Sequence, residues 1–185
     1  MSSFGNLTVI TGPSGVGKGT IVKKILDNHK DVWLSISVTT RKPRPGEIDG
    51  ENYFFVDKSE FKKTVAKNGF LECASFSNNF YGTPRNMVMK KIEKGINVIL
   101  EIELEGARQI RKSFPEGFQI FLAPPDISEL EKRIRGRGTE SEQSIKDRLE
   151  IAKKELMATK EFDAVVINKD IDIAFKDIES LMRLN

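Results

Sequence analysis

A single cysteine, Cys73, excludes an intramolecular disulfide and suits a reducing compartment. Long apolar runs are missing too. Nothing approaches the roughly 18 consecutive apolar residues of a membrane helix, and residues 2–20 carry no basic segment followed by the apolar stretch that marks a secretion signal. Nor is there an excess of one charge. Lys and Arg number 30 against 27 Asp and Glu, a formal net charge of +3 with the signs interleaved, which argues against a nucleic-acid protein recognised by bulk charge. Repeats, linkers and low-complexity tracts are also lacking. The one histidine, His29, falls at what reads as a surface-like helix end and receives no role. These absences leave a soluble cytoplasmic protein, without nucleic-acid or membrane partners, as the expectation. With 185 residues, 38% of them apolar and 12 of them Phe, the chain suits one packed core with an inserted subdomain or lid.

What is present alternates. A short strand at 7–10 runs into a glycine loop and then a helix carrying Ile21, Val22, Ile25 and Leu26 on one face. Strands are expected at 33–40, 53–56, 96–102, 118–122 and 164–167, with one or two more in 70–83 around Ser77-Asn78-Asn79. Helices are expected at 57–68 (capped by Asp57 or Ser59, with Phe61 and Val65 four apart), 84–94 opened by Pro84, 104–113, 126–136, a stretch carrying Ile145, Leu149, Ala152 and Leu156 behind a Thr139–Glu142 capping box, and 171–183. Strands alternating with helices predict an α/β fold with a parallel, doubly wound sheet. The clustered strands and turn residues of 35–83 predict an inserted, partly antiparallel subdomain.

Four constellations carry chemistry. Residues 11–20 read TGPSGVGKGT. Gly12, Gly17 and Lys18 fit the phosphate-binding pattern G-x-x-x-x-G-K, in which backbone N–H groups and a helix start face phosphate oxygens. Gly19, however, stands where Ser or Thr would hold Mg²⁺. Arg41 and Arg44 flank Pro43 in a stiff loop, with Tyr53 and Tyr81 further along; rigid guanidinium groups beside phenol hydroxyls suit a phosphate. Arg133, Arg135, Arg137 and Arg148 surround a glycine-broken segment between two helices, as in a mobile lid. Finally, Glu101, Glu103 and Glu105 alternate at the carboxyl end of a buried strand, where open α/β sheets bind ligands.

In order, GPSGVGKGT, SVTTRKPRPGEIDGENYFFV, FLE, YGT, ILEIELEGA, APP, RGRGTES and VIN resemble the guanylate kinase family over about residues 5–184. The central TTR-x-PRPGE stretch is far more specific than the glycine loop. The resemblance implies a parallel doubly wound P-loop core (5–34, 94–125 and 158–184), an inserted mixed-β GMP-binding subdomain (35–93) and a helical lid (about 126–157). It implies phosphorylation of GMP by ATP, giving GDP and ADP with Mg²⁺, in purine nucleotide metabolism and GMP recycling. It further implies that Gly12, Pro13, Ser14, Gly15, Val16, Gly17, Lys18, Gly19 and Thr20 hold ATP, with Asn168 near adenine. Arg41, Arg44, Tyr53 and Tyr81 are implied to hold the GMP phosphate, and Ser37, Glu72, Thr83 and Glu103 to read guanine. Lys18, Arg44, Arg137 and Arg148 are implied in catalysis, and Glu101 meets the metal through water. GMP, with dGMP as a further candidate, and ATP are the expected partners of a monomer or homodimer.

Elementary chemistry agrees. Guanine donates at N1 and N2, so a carboxylate such as Glu72 complements it, whereas O6 and N7 accept from hydroxyls such as those of Ser37 and Thr83. Two unit charges 4 Å apart repel by about 4 kcal/mol at an effective dielectric of 20, which converging arginines offset; one transition-state arginine in phosphoryl transfer is worth about 10³–10⁵ in rate. Two departures stand out. Glu101 and Glu103 replace the family's usual Asp-x-Asp, which leaves open which of them faces metal and which guanine. Without a hydroxyl at 19, Mg²⁺ is expected on nucleotide phosphates and waters, with Thr20 the neighbouring hydroxyl able to substitute. Rival readings are a catalytically dead scaffold, disfavoured by Lys18 and the lid arginines; another nucleoside monophosphate kinase, disfavoured by Glu72 and Tyr81; and a switch-type GTPase, disfavoured because no base-reading Asn/Thr-Lys-x-Asp element occurs.

Overall fold

The computed structural model describes residues 4–76, 78–136 and 141–184. In chain order the described elements are β1 (Leu7–Thr11), α1 (Lys18–Asn28), β2 (Val32–Leu34), β3 (Val38–Thr39), β4 (Phe54–Phe55), α2 (Lys58–Ala66), β5 (Phe70–Phe76), β6 (Asn79–Pro84), α3 (Arg85–Glu93), β7 (Asn97–Glu101), α4 (Leu104–Ser113), β8 (Phe118–Ala123), α5 (Ile127–Arg135), α6 (Glu142–Leu156), β9 (Ala164–Ile167) and α7 (Ile171–Leu181). Five strands form a sheet in the order β2-β7-β1-β8-β9, and four form a second in the order β4-β3-β6-β5. The pairs β2/β7, β1/β8 and β8/β9 are parallel. In the second sheet β3/β4 is parallel, while β3/β6 and β5/β6 are antiparallel. The expected α/β architecture with a mixed-β insertion is thus present.

The chain packs as two compact units. One comprises Met1–Leu7, Asp31–Leu100 and Glu105–Gly117; the other comprises Thr8–Lys30, Glu101–Leu104 and Phe118–Asn185. In the first, Val98, Ile99 and Leu100 are at most 1% exposed, as an unbroken apolar run in a sheet covered on both faces requires. The aromatic rings of Phe61, Phe70 and Phe80 stack under the mixed sheet, with centroids 4.6 and 5.5 Å from Phe61. In the second, Ile10, Ile21, Ile25, Ile120, Phe121, Leu122 and Ile178 are fully buried.

Several local expectations change. The alternating stretch 33–40 is two strands in different sheets: β2 pairs with β7, then Ser35 N–H bonds Ile99 O at 2.9 Å, and β3 joins β4 and β6. A period of two marks extended chain but not its partner. The carboxylate alternation also breaks: β7 ends at Glu101, and Glu105 lies in the first turn of α4, where the helix dipole favours it and Arg108 lies 3.7 Å away. Asp57 caps α2 by accepting from Glu60 N–H, and Ser141 caps α6 through Ser144 N–H; Thr139, named for the capping box, lies outside the described residues. Val65 is exposed although Phe61 is buried. His29 is buried rather than on the surface, bonded at 2.6 Å to Glu179 of α7.

Candidate functional site

The second unit carries the glycine loop. Gly12 has φ +144°, and a Cβ there would meet Leu122 O of β8 at 2.1 Å, so a side chain is barred by both backbone and space. Gly17, at φ +104°, would set a Cβ 2.6 Å from the Asn168 side chain and is the N-cap of α1. Asp57, Asp126, Ser141 and Asp170 cap α2, α5, α6 and α7 with their side chains. The start of α1 has no side-chain cap and no acid in its first turn. Its N–H groups and partial positive charge are therefore left for an outside anion. Lys18 Nζ folds back onto Gly12 O at 2.5 Å and Pro13 O at 3.3 Å. Gly15 adopts φ +89°; Pro13 and Val16 are buried, Ser14 is half-buried, and Gly19 and Thr20 are exposed.

Behind the loop, Asn168 is buried, and its Nδ2 donates to Val16 O at 2.8 Å. Arg133 on α5 donates to Asn168 O at 2.9 Å and approaches Val16 O at 3.4 Å, while its Nε bonds Glu129 at 3.2 Å. Asn168, expected near adenine, thus fixes the loop's backbone with its amide. Glu101 is half-buried beside Gly19: a Cβ at 19 would lie 3.7 and 3.8 Å from its carboxylate oxygens. Burial raises the Glu101 pKa, Lys18 opposes that rise, and Glu103 adds to it. Glu155 on α6 behaves alike, raised by burial and by Glu103 and opposed by Lys18. Glu103 itself is exposed. Of the expected lid arginines, Arg148 is half-buried on α6 and Arg137 lies outside the described residues; Arg135 is tied to Glu131 and Glu142.

The first unit brings together the arginine loop and a buried carboxylate. Pro45 and Gly46, the latter at φ +86°, turn the chain so that Glu47 N–H reaches Arg44 O at 3.0 Å. The Glu47 carboxylate then accepts from Arg41 Nη1 and Nη2 at 2.9 and 2.8 Å and from Arg44 N–H at 2.7 Å. These bonds, Arg41 first, hold the Glu47 pKa down to about 2 and push the Arg41 pKa further up. The Arg41 guanidinium lies 5.3 Å from the Tyr53 ring centroid, and Tyr53 meets Tyr81 edge to face at 6.0 Å. Arg44 is exposed.

On the adjoining strands Glu72 is 6% exposed and accepts a 2.7 Å bond from the Thr83 hydroxyl. Burial pushes its pKa up, against the Thr83 hydroxyl and backbone N–H bonds. Ser37 is half-buried, and its carbonyl accepts from Phe54 N–H at 2.9 Å. Arg41, Tyr53 and Tyr81 therefore gather at one place, and Glu72 pairs with Thr83. With no sequence signal, Glu155 could not be singled out. Glu47 stood in the PRPGE stretch, but its role needed a partner that only folding identified.

A family model described as guanylate kinase matches residues 5–185. The chain belongs to the guanylate kinase family. A guanylate kinase of Prochlorococcus marinus (strain NATL2A) is 75% identical over 184 residues, covering 100% of this chain and 99% of the relative. One from Synechococcus sp. (strain CC9902) is 57% identical, covering 100% and 98%. The crystal structure of guanylate kinase from Anaplasma phagocytophilum superposes with a TM-score of 0.77 at 30% identity, covering 98% of this chain and 86% of that one. The family resemblance read from the motifs is thereby borne out, and the matched span includes both the glycine loop and the arginine loop.

Proposed function

We propose that this protein transfers the γ-phosphoryl group of ATP to GMP, giving ADP and GDP, as a kinase of purine nucleotide metabolism. Family membership supports the reaction. The observation that carries the acceptor is the buried Glu72–Thr83 pair. A carboxylate removed from water must find donors to be worth its desolvation, and guanine N1–H and N2–H₂ supply them. Because the Thr83 proton is directed at Glu72, Thr83 is not the donor to O6 or N7 that its hydroxyl suggested from the sequence; it offers guanine oxygen lone pairs, so Thr83 and Glu72 both accept. Adenine presents an unprotonated N1 to that pair and leaves it unmatched. A site built to bond such groups rejects a base lacking them by about 10⁴–10⁵. Ser37 and Glu103 complete the guanine contacts in this reading.

Arg41, Arg44, Tyr53 and Tyr81 hold the GMP phosphate. Gly12 to Thr20 hold the phosphates of ATP on the uncapped start of α1, with Lys18 exchanging its loop carbonyls for phosphate oxygens. Arg44, Arg137 and Arg148 neutralise charge on the transferring group. The half-buried Glu101 beside Gly19 and Lys18 fits a hydrated Mg²⁺, whose waters it would orient. When bound, such an ion would supply positive charge against that developing on the transferring phosphoryl group. Among the described residues no helix is long and apolar enough to cross a membrane, and the cytoplasm is the proposed location. The test is a coupled ADP-release assay with ATP and each nucleoside monophosphate, dGMP included. Turnover with GMP is expected. Turnover with AMP or UMP but not GMP would overturn the acceptor, and no turnover at all would favour a non-catalytic scaffold.

A further inference from the structure

We infer that Glu47 is a positioning residue that presets the arginine loop for the GMP phosphate; the inference rests on the proposed assignment of that phosphate to Arg41 and Arg44. One carboxylate reaches both arginines, gripping the Arg41 side chain through two Nη groups and the Arg44 backbone through its N–H. Arg41 Nη1 donates in addition to Lys42 O at 2.8 Å, its backbone N–H bonds Thr39 Oγ1 at 3.2 Å, and its guanidinium lies near Tyr53 and Phe55. The pair is sheltered, with the Arg41 and Glu47 side chains 14% and 18% exposed. Its carboxylate stays ionised at any working pH, held at about 2 by Arg41 first and then Arg44 N–H.

The donor inventory fixes the consequence. An arginine has five N–H donors. Lys42 O and the Glu47 carboxylate occupy three of those on Arg41. The end-on pair of Nη donors is therefore filled, and Arg41 keeps only its side-on donors, Nε–H and one Nη2–H, with the Tyr81 hydroxyl close enough to interact with the guanidinium. Arg44 offers a phosphate a full guanidinium fork, its side chain exposed while its backbone is pinned, whereas Arg41 can add only the side-on donors it has left. Glu47 also cancels one of the two guanidinium charges. Binding then depends on where donors point more than on bulk attraction, and a loop already ordered loses less entropy on binding.

Glu47→Gln tests this at constant size. The amide's N–H₂ group must face a donor of Arg41 or Arg44, so at least one of the three bonds is lost. The expected result is a KM for GMP raised about tenfold, with kcat changed less than about threefold and KM for ATP unaltered, since roughly 1.4 kcal/mol separates each decade. Glu47→Asp keeps the charge but is one methylene shorter, and should recover part of the loss. In ¹⁵N spectra the Arg41 Nη–H signals should be separately resolved in the parent protein and merge in Glu47→Gln, because the two-point grip restricts rotation. A lowered KM for GMP would overturn the proposal by making Glu47 a competitor of the phosphate. A reduced melting temperature with unchanged KM would reduce it to a fold stabiliser. Arg44→Ala, measured in parallel, separates the two levels: if its KM and kcat with GMP match the parent protein, the phosphate assignment fails, and this proposal with it.

Discussion

Replacing Asn168 with alanine isolates the amide that fixes the glycine loop. Asn168 is 4% exposed, Val16 is fully buried, and the Nδ2–Val16 O bond is 2.8 Å. Removing the donor leaves the Val16 carbonyl only the 3.4 Å approach of Arg133 Nη1, too long to replace it. A buried acceptor left unsatisfied costs about 1–3 kcal/mol, so ~2 kcal/mol is a central value. For a chain of this size each kcal/mol lowers Tm by roughly 2–4 °C, which gives a fall of about 4–8 °C by calorimetry. The same bond anchors the loop segment that leads into the start of α1. ATP must then order the loop itself, and KM for ATP should rise by up to about 30-fold if all of the loss falls on binding. KM for GMP should stay level in the same coupled assay. A lower Tm with unchanged KM for ATP would refute the link from this amide to nucleotide binding, and an unchanged Tm would refute the burial argument beneath it.

Three further outcomes follow from the same geometry. Arg44→Ala should cut kcat/KM for GMP by at least about 10³ while leaving ATP binding by calorimetric titration nearly intact; equal kcat/KM would remove Arg44 from the site. Burial raises the Glu72 pKa, so its accepting, ionised form is lost at a pH above the ~4.3 of an ordinary glutamate. kcat/KM for GMP should therefore hold above that raised value and fall as pH drops through it. Because a phosphate monoester itself titrates near pH ~6, the comparison is with Glu72→Gln, whose profile should lack this limb; identical profiles would assign the titration elsewhere. Gly19→Ser should be accommodated, since its Cβ would sit at ordinary contact with Glu101, and should lower the Mg²⁺ concentration needed for half-maximal rate. An unchanged requirement would mean that the position does not face the ion.

Much of this was legible in the chain itself, and for physical reasons. The glycine loop could be read because its constraint is local: only residues without Cβ fit at Gly12 and Gly17, and the strand and helix on either side have their own periodicities. Val98 to Leu100 announced a strand buried on both faces by hydrophobicity alone. Arg41, Arg44, Tyr53 and Tyr81 were named because their side chains suit a phosphate, whereas Glu72 and Thr83 were implied by the family resemblance, with the donors and acceptors of guanine in agreement. Other features depend on partners distant in sequence. The alternation over 33–40 could not say that β2 and β3 belong to different sheets. His29 looked solvent-exposed until α7 supplied Glu179. Thr83 and Glu72 were each chosen for guanine, but that one donates to the other requires the β5/β6 register. Periodicity thus determined most of the elements, and motif chemistry with the family resemblance determined the chemical vocabulary. Only the tertiary structure decided which atoms meet: Asn168 on the loop carbonyl, and Glu47 between two arginines. A hydrogen bond is set by distance and direction between groups, and chain spacing carries neither once the partners lie on different elements.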